Sequence, residues 1–210
     1  MKTALKLLFL SFLLLGSHTT LSAQISDEIK EIVKKCGEKM EDPRGVDMDM
    51  TIKVLMIKTH CRVVSKGEKA FMTTSFKVLG KSATIEAGFD GTQEWEYNSA
   101  TDSLVITKTT KKSNKDEDLD FDLASKFKTA KMKEKNGLYE INFTDPIIKD
   151  GPKKASMKIN KSNYYLSEMQ AGSGMMSITF TINKIKIGGI SDDVFVLDTK
   201  KYPTAKIARK

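Results

Sequence analysis

Residues 88–97, GFDGTQEWEY, join an Asp-Gly turn to a short segment in which glutamates alternate with large aromatic residues. A period of two is that of a β-strand, so Trp95 and Tyr97 should share one face of a sheet and the two glutamates the other. The Asp-Gly step is typical of a hairpin turn, which predicts an antiparallel neighbour. The stretch therefore indicates a sheet with one dry face, which meets either a packed core or a ligand.

Alternating apolar residues recur through most of the chain after residue 45. Every second residue from Val46 to Met56 is apolar, which predicts a long, half-buried strand. Further alternating segments follow, separated by turn residues such as Asn136-Gly137. Short connections of this kind join antiparallel neighbours. Because about ten or more strands in one layer must curl, the pattern predicts a mainly β fold built on one strongly curved antiparallel sheet.

Two helical segments accompany this predicted sheet, which makes the fold class α+β. Ser26 is followed by two acidic residues and then by apolar residues at helical spacing as far as Met40, which predicts an amphipathic helix. A second, short helix is predicted by apolar residues four apart: Leu119, Leu123 and Phe127. The sequence contains no internal repeat and no Gly- or Pro-rich linker, so residues 24–210 are expected to form one domain.

The first 23 residues have the layout of a cleavable secretory signal. Two lysines precede the apolar run from Leu7 to Leu15, and a small-residue site ends at Ala23. The run is too short to span a bilayer. We expect export, cleavage after Ala23 and no transmembrane anchor. Because this segment carries two lysines and no acidic residue, its removal lowers the formal net charge from +8 to +6.

The polar residues form no recognisable catalytic or metal-binding motif. The chain has three arginines and dispersed lysines, which argues against a nucleic-acid partner. His60 is the only histidine after residue 23, and no G-x-S-x-G motif accompanies it. The acidic segment 116–122 lacks the glycine and the glutamate of an EF-hand loop. We expect no enzyme activity, no metal and no cofactor; an exported hydrolase would have to depend on His60.

Two cysteines, Cys36 and Cys61, are present. In an exported protein they could form one disulfide, and the alternative is a pair of buried free thiols. The sequence leaves both arrangements open. A bridge would fasten the first helix to the sheet.

Four stretches together resemble a known family. FDGTQEWEYNSATDSLVITK (89–108) resembles the strand-turn-strand signature of LolA-type lipoprotein carriers, and NGLYEINFT (136–144), KKASMKINKSNYYLSEMQ (153–170) and MSITFTINKIKIGGISDDVFVLDTKKYP (176–203) follow in the family's order. With the signal and the first helix, the resemblance covers nearly the whole chain. It implies an incomplete antiparallel barrel with a helical lid. It also implies a monomeric, non-catalytic periplasmic carrier that takes lipoproteins from an inner-membrane exporter towards the outer membrane, where a separate acceptor stays an open question.

The resemblance implies an apolar cavity for the acyl chains of lipoproteins. A chain of about 15 methylenes loses roughly 12 kcal/mol on entering water, so such cargo requires a dry site. The expected lining consists of alternate strand residues: Met48, Met50, Ile52, Val54, Trp95, Tyr97, Leu104, Ile106, Met157, Ile159, Ile178, Phe180 and Ile182. The expected lid residues are Leu119, Leu123 and Phe127. For each of these residues the alternative is an ordinary place in a packed core.

The chain departs from the family at the lid. Many members carry Lys-Arg-Pro after the second strand, and its arginine holds the lid by hydrogen bonds. The corresponding residues here, Phe71 to Phe76 (FMTTSF), include neither a basic residue nor a proline. The cover must therefore be held in another way. The alternative function is a non-catalytic envelope regulatory or scaffolding protein of the same fold that binds a lipid or protein partner.

Overall fold

The computed structural model describes residues 25–78, 80–108, 123–147, 151–173 and 176–210. Three sequence predictions lie outside the described residues: the signal segment 1–23, the acidic segment 116–122 and the placement of Leu119.

The chain begins with the predicted amphipathic helix, α1 (Asp27–Met40). The Ser26 hydroxyl oxygen accepts a hydrogen bond of 3.3 Å from the backbone N–H of Ile29. Acidic side chains occupy the first turn, where their negative charge is stabilised by the positive end of the helix dipole. The apolar residues of α1 are buried along one stripe: Ile29, Ile32, Val33, Cys36 and Met40. The spacing that predicted this helix is thus also the spacing that buries it.

Twelve strands form one sheet in the described residues. In chain order they are β1 (Val46–Val54), β2 (Ile57–Lys66), β3 (Lys69–Val78), β4 (Lys81–Phe89), β5 (Gln93–Asn98), β6 (Ser103–Lys108), β7 (Phe127–Lys135), β8 (Leu138–Pro146), β9 (Lys154–Asn160), β10 (Leu166–Ser173), β11 (Met176–Ile187) and β12 (Lys206–Arg209). The other elements are α2 (Leu123–Lys126) and two 3-10 turns, η1 (Asp192–Phe195) and η2 (Thr199–Lys201).

The strand order in the sheet is β12-β6-β5-β4-β3-β2-β1-β11-β10-β9-β8-β7. Every pair is antiparallel except the parallel pair of β12 and β6. Strands β1 to β6 form one meander and β7 to β11 a second, and β1 pairs with β11 where the two meanders meet. The prediction of one curved antiparallel sheet, an incomplete barrel with a helical cover, is confirmed.

Two boundaries differ from the sequence prediction. The first strand ends at Val54, because Leu55 adopts a positive φ of 55° and begins a tight turn. The prediction that Phe127 belongs to the short helix is wrong: α2 ends at Lys126, and Phe127 begins β7 opposite Pro146. Strand pairing with β8 decides the conformation of Phe127, and helical spacing alone could not reveal that partner.

Residues directly opposite each other in neighbouring strands share a face of the sheet. We call the face that carries Met50 the inner face, and α1 covers it to form the main core. On the opposite, outer face lies a second, smaller cluster of Trp95, Leu104, Ile106 and Tyr202. The C-terminal segment, residues 190–210, covers this outer cluster and ends as β12 beside β6. The sheet therefore has a dry region on each face.

Candidate functional site

Nine of the thirteen predicted lining residues lie on the inner face. Strand register places them there, since Met50 is opposite Ile182, Ile52 opposite Phe180, and Val54 opposite Ile178. The nine are Met48, Met50, Ile52, Val54, Met157, Ile159, Ile178, Phe180 and Ile182. Six are buried, whereas Val54, Ile178 and Ile182 are half-buried. The structure thus brings residues from β1, β9 and β11 onto one apolar surface.

Helix α1 and the inner face pack against each other as a hydrophobic core. Met157 and Ile159 are almost completely inaccessible beneath this cover. Leu123 of α2 and Phe127 of β7 belong to the same core, and the Phe127 ring lies 5.8 Å from the Phe143 ring, centroid to centroid. Protein side chains therefore occupy the space beneath α1.

The other four predicted lining residues lie on the outer face. Trp95 is opposite Gly88 and Ile106, whereas its neighbour Glu96 is opposite Ala87, which belongs to the inner core. The prediction that Trp95, Tyr97, Leu104 and Ile106 line the same surface as the other nine is wrong. Alternation correctly paired the aromatic residues, but it could not tell which face of the sheet they occupy. At β5 the inner face carries the two glutamates instead.

The outer four residues hold the C-terminal segment on the sheet. The Tyr202 ring lies 4.3 Å from the Tyr97 ring and 6.2 Å from the Trp95 ring, centroid to centroid. The Tyr202 hydroxyl donates a hydrogen bond to Glu86, and the Tyr97 hydroxyl donates one of 3.2 Å to Asp102. Burial, reinforced by Glu86, raises the pKa of Tyr202. These ring contacts and hydrogen bonds attach the C-terminal segment to the sheet. The neutral phenol groups act as hydrogen-bond donors to the two carboxylates.

Sequence reasoning missed several inner-face residues. Met169 is opposite both Met157 and Phe180, and Met72 is opposite Val63 and Ala87. Six buried methionines therefore line the main core: Met40, Met48, Met50, Met72, Met157 and Met169. The chain's eleven methionines were the available signal, but only the register shows that the five on strands share the inner face.

The two cysteines are free and buried, which is the second of the two arrangements that the sequence left open. Cys36 lies on the buried face of α1, and Cys61 lies on β2 opposite Met50. Burial raises the pKa of both thiols to about 12, and the negative charge of Asp49 adds to the effect at Cys61. Both sulfur atoms are thus held as unreactive neutral thiols in the closed form.

His60, the residue on which a hydrolase would have to depend, lies at the protein surface. Its side chain is 71% exposed and its Nδ1 lies 3.4 Å from Asp49. Among the residues that the structure describes, no cluster of three or more His, Cys, Asp or Glu could hold a metal ion. A groove of about 350 Å³ lies on the outer face between β8 and β11, lined by Asn142, Ser156 and Gln170 among others.

The cover is held without the arginine latch of the LolA-type family. Phe71 to Phe76 lie within β3 and pair with β4. Helix α1 instead packs through its apolar stripe, and Lys35 places its Nζ atom 5.1 Å from the centre of the Tyr164 ring. In the described part of the chain, no hydrogen bond joins residues 27–40 to a strand.

Among the helices of the described residues, none has the length and the apolar character of a membrane span.

Solved structures share this architecture. An uncharacterised conserved protein from Thermus thermophilus superposes with a TM-score of 0.56 at 12% identity, over 88% of this chain and all of that one. The curved open sheet of this chain is therefore a known architecture. Other neighbours are LprF from Mycobacterium bovis (TM-score 0.48, 13% identity, 81% of this chain and 97% of that one) and a LolA superfamily protein from Nitrosomonas europaea (0.35, 11%, 85% and 99%). Neither a protein-family model nor a curated protein sequence matches the chain. At these identities the likeness concerns the fold alone.

Proposed function

We propose that this protein is a non-catalytic periplasmic carrier that binds lipoprotein acyl chains on the inner face of its sheet. The observation that carries the proposal is a continuous apolar surface from β1 to β11 and β9 against which the amphipathic helix α1 packs through its apolar side chains. An inner-membrane exporter would load the carrier, and the signal-like residues 1–23 would direct its export.

The composition of the inner face suits cargo that has no fixed shape. Methionine is unbranched, has three rotatable bonds, and fills irregular space against different partners. The five buried methionines on strands of the inner face can therefore repack when an acyl chain replaces the helix. Leucine or valine at these positions would give a more rigid core. The methionine content supports exchange between packing against α1 and packing against an acyl chain.

The energies of the two states are comparable. Four large apolar side chains of α1 are buried in the core: Ile29, Ile32, Val33 and Met40. Exposing them to water would cost about 6 to 12 kcal/mol. An acyl chain of about 15 methylenes recovers roughly 12 kcal/mol when it leaves water. One or two chains can thus offset the displacement of the helix, while the empty protein stays closed. Cargo binding and helix displacement are expected to be coupled in this way.

Entry is expected where the inner face is least covered. Val54 and Ile178 lie opposite each other at the end of β1 and the start of β11, and both are half-buried. Replacing Ile178 with glutamate would place a carboxylate at this mouth. We expect Ile178→Glu to weaken binding of a synthetic triacylated lipopeptide about tenfold or more, and Ile207→Glu on the exposed strand β12 to leave it unchanged. Co-elution with the lipopeptide in gel filtration measures this.

The two native thiols test the displacement of α1. Cys61→Ala leaves only Cys36, on the helix, and Cys36→Ala leaves only Cys61, on the sheet. Lipopeptide should speed N-ethylmaleimide labelling of Cys36, because the helix leaves its site, while Cys61 stays slow beneath the cargo. Intact mass spectrometry gives both rates. Absence of lipopeptide binding would refute the carrier function, and tight binding with both thiols still protected would refute helix displacement.

A further inference from the structure

We propose that one end of the sheet docks onto an anionic lipid bilayer. This end, the Leu55 rim, is the one that carries the β1–β2 turn. Because the strands are antiparallel, it also carries the end of β8 and the start of β11. The docking does not rest on the proposed cargo and is expected of the empty protein.

Exposed apolar side chains concentrate on this rim. Seven large apolar side chains are exposed in the described residues, and five of them lie in a turn, at the outermost strand position of this end or just beyond it: Leu55, Met56, Ile57, Ile147 and Met176. Met56 is 95% exposed, Met176 69% and Ile57 65%. The register of Val54 with Ile178 and Ile57 sets the β1–β2 turn beside Met176 at the start of β11, and Ile147 follows β8 further along the same end. Such a group favours contact with an apolar phase.

The backbone of the turn is strained at Leu55. Its φ is 55°, a region that a two-residue hairpin turn normally fills with glycine, asparagine or aspartate. The Leu55 side chain is 55% exposed, so burial within the protein does not offset the strain. Leu55 therefore combines a backbone conformation that is unfavourable for leucine with an apolar side chain exposed to solvent. Strain of this kind is typical of positions that serve binding.

The rim is also basic. In the last two strand positions at this end, the described charged side chains are six lysines and one acid: Lys53, Lys58, Lys77, Lys128, Lys154, Lys206 and Asp145. Lys53 and Lys58 lie directly opposite each other behind the apolar turn, although like charges in this position repel. None of these six lysines has an ion-pair partner in the described part of the chain, whereas Lys66 and Lys69 at the opposite end share Asp192.

These features match a bilayer better than a protein surface. The exposed apolar side chains of the rim can enter the interfacial region of a bilayer, while the ammonium groups of the nearby lysines stay among anionic headgroups. Protein interfaces are instead enriched in aromatic residues and arginine and depleted in lysine, and the five exposed apolar residues of the rim are all aliphatic. Docking at this rim would also bring the mouth between Val54 and Ile178 to the membrane.

Vesicle flotation tests the proposal with the cargo-free protein of residues 24–210. The probes are phosphatidylcholine vesicles with and without phosphatidylglycerol. Leu55→Gly/Met56→Ser removes the apolar tip and places glycine where φ is positive, so this variant should fold at least as well as the wild type. Val196→Ser is the control, because Val196 is 58% exposed and follows η1, whose Asp192 pairs with Lys66 and Lys69 at the opposite end of the sheet.

The wild type should bind vesicles that contain phosphatidylglycerol. Leu55→Gly/Met56→Ser should weaken binding roughly tenfold or more, and the control should bind like the wild type. Lys53→Glu/Lys58→Glu should weaken it about tenfold or more at low salt, with a smaller effect at high salt. Equal binding by the tip variant and the control would overturn the proposal. Failure of the wild type to bind would also overturn it and would point to a protein partner for the rim.

Discussion

Replacing Gly88 with alanine should destabilise the protein through the outer aromatic cluster. Gly88 is opposite Trp95 in register, and the indole ring covers its backbone. A Cβ atom at Gly88 would lie 2.5 Å from Cε2 and Nε1 of Trp95 and 2.7 Å from Cζ2. Real Cβ atoms essentially never approach another heavy atom closer than 3.0 Å. The indole must therefore move.

The indole has little room to move, because two rings flank it. The Phe71 centroid lies 6.0 Å away and the Tyr202 centroid 6.2 Å away. Overpacking of this kind costs about 1 to 3 kcal/mol, and disturbed aromatic pairs add about 0.5 to 1.5 kcal/mol each. We expect Gly88→Ala to lower the free energy of unfolding by about 2 to 3 kcal/mol. Affinity for a lipopeptide should not change, since the cluster lies on the outer face.

Urea unfolding followed by far-UV circular dichroism measures this loss. The control is a double-mutant cycle with Trp95→Leu, which removes all three atoms that the new methyl group would contact. When Trp95→Leu is already present, Gly88→Ala should cost only a few tenths of a kcal/mol. The reasoning fails if Gly88→Ala changes stability by less than about 0.5 kcal/mol in the wild type, or costs the same in both backgrounds.

Three further predictions follow from the same structure. Trp95 is the only tryptophan and lies on the outer face, so its emission should stay constant when lipopeptide binds; a large shift would place cargo on that face. The folded state holds the pKa of Cys36 and Cys61 at about 12, above the ordinary 9.0, so the stability that this difference contributes is present below pH 9 and lost as the pH rises towards 12. The double alanine variant should show a flatter alkaline profile in thermal unfolding. Neighbouring lysines lower the pKa of Asp192 to about 2 from 3.8, so its contribution is present above pH 3.8 and lost as the pH falls towards 2. Because Asp192 is exposed, this acid loss should be small and should shrink in added salt, and Asp192→Asn should abolish the salt effect.

Local periodicity predicted most elements of this protein, although it misplaced Phe127 and did not reveal β12. The N-cap at Ser26 and the apolar stripe that follows predicted α1 to within a residue or two. Alternation and turn residues predicted the meander, and the number of strands predicted its curvature. The sequence also paired Trp95 with Tyr97, and Met48 with Met50, on common faces. These properties depend on the backbone geometry of single strands and helices, which nearby residues determine.

The tertiary structure decided which face each strand turns towards α1. Trp95 and Met50 give the same alternating signal in the sequence, yet they lie on opposite faces of one sheet. The parallel pairing of β12 with β6 and the closing pair of β1 with β11 join residues that are far apart in the chain. The same long-range pairing sets the β1–β2 turn beside Met176 and thereby creates the Leu55 rim. Inner and outer faces are defined only once the sheet curls and something covers each side, and no local pattern contains that information.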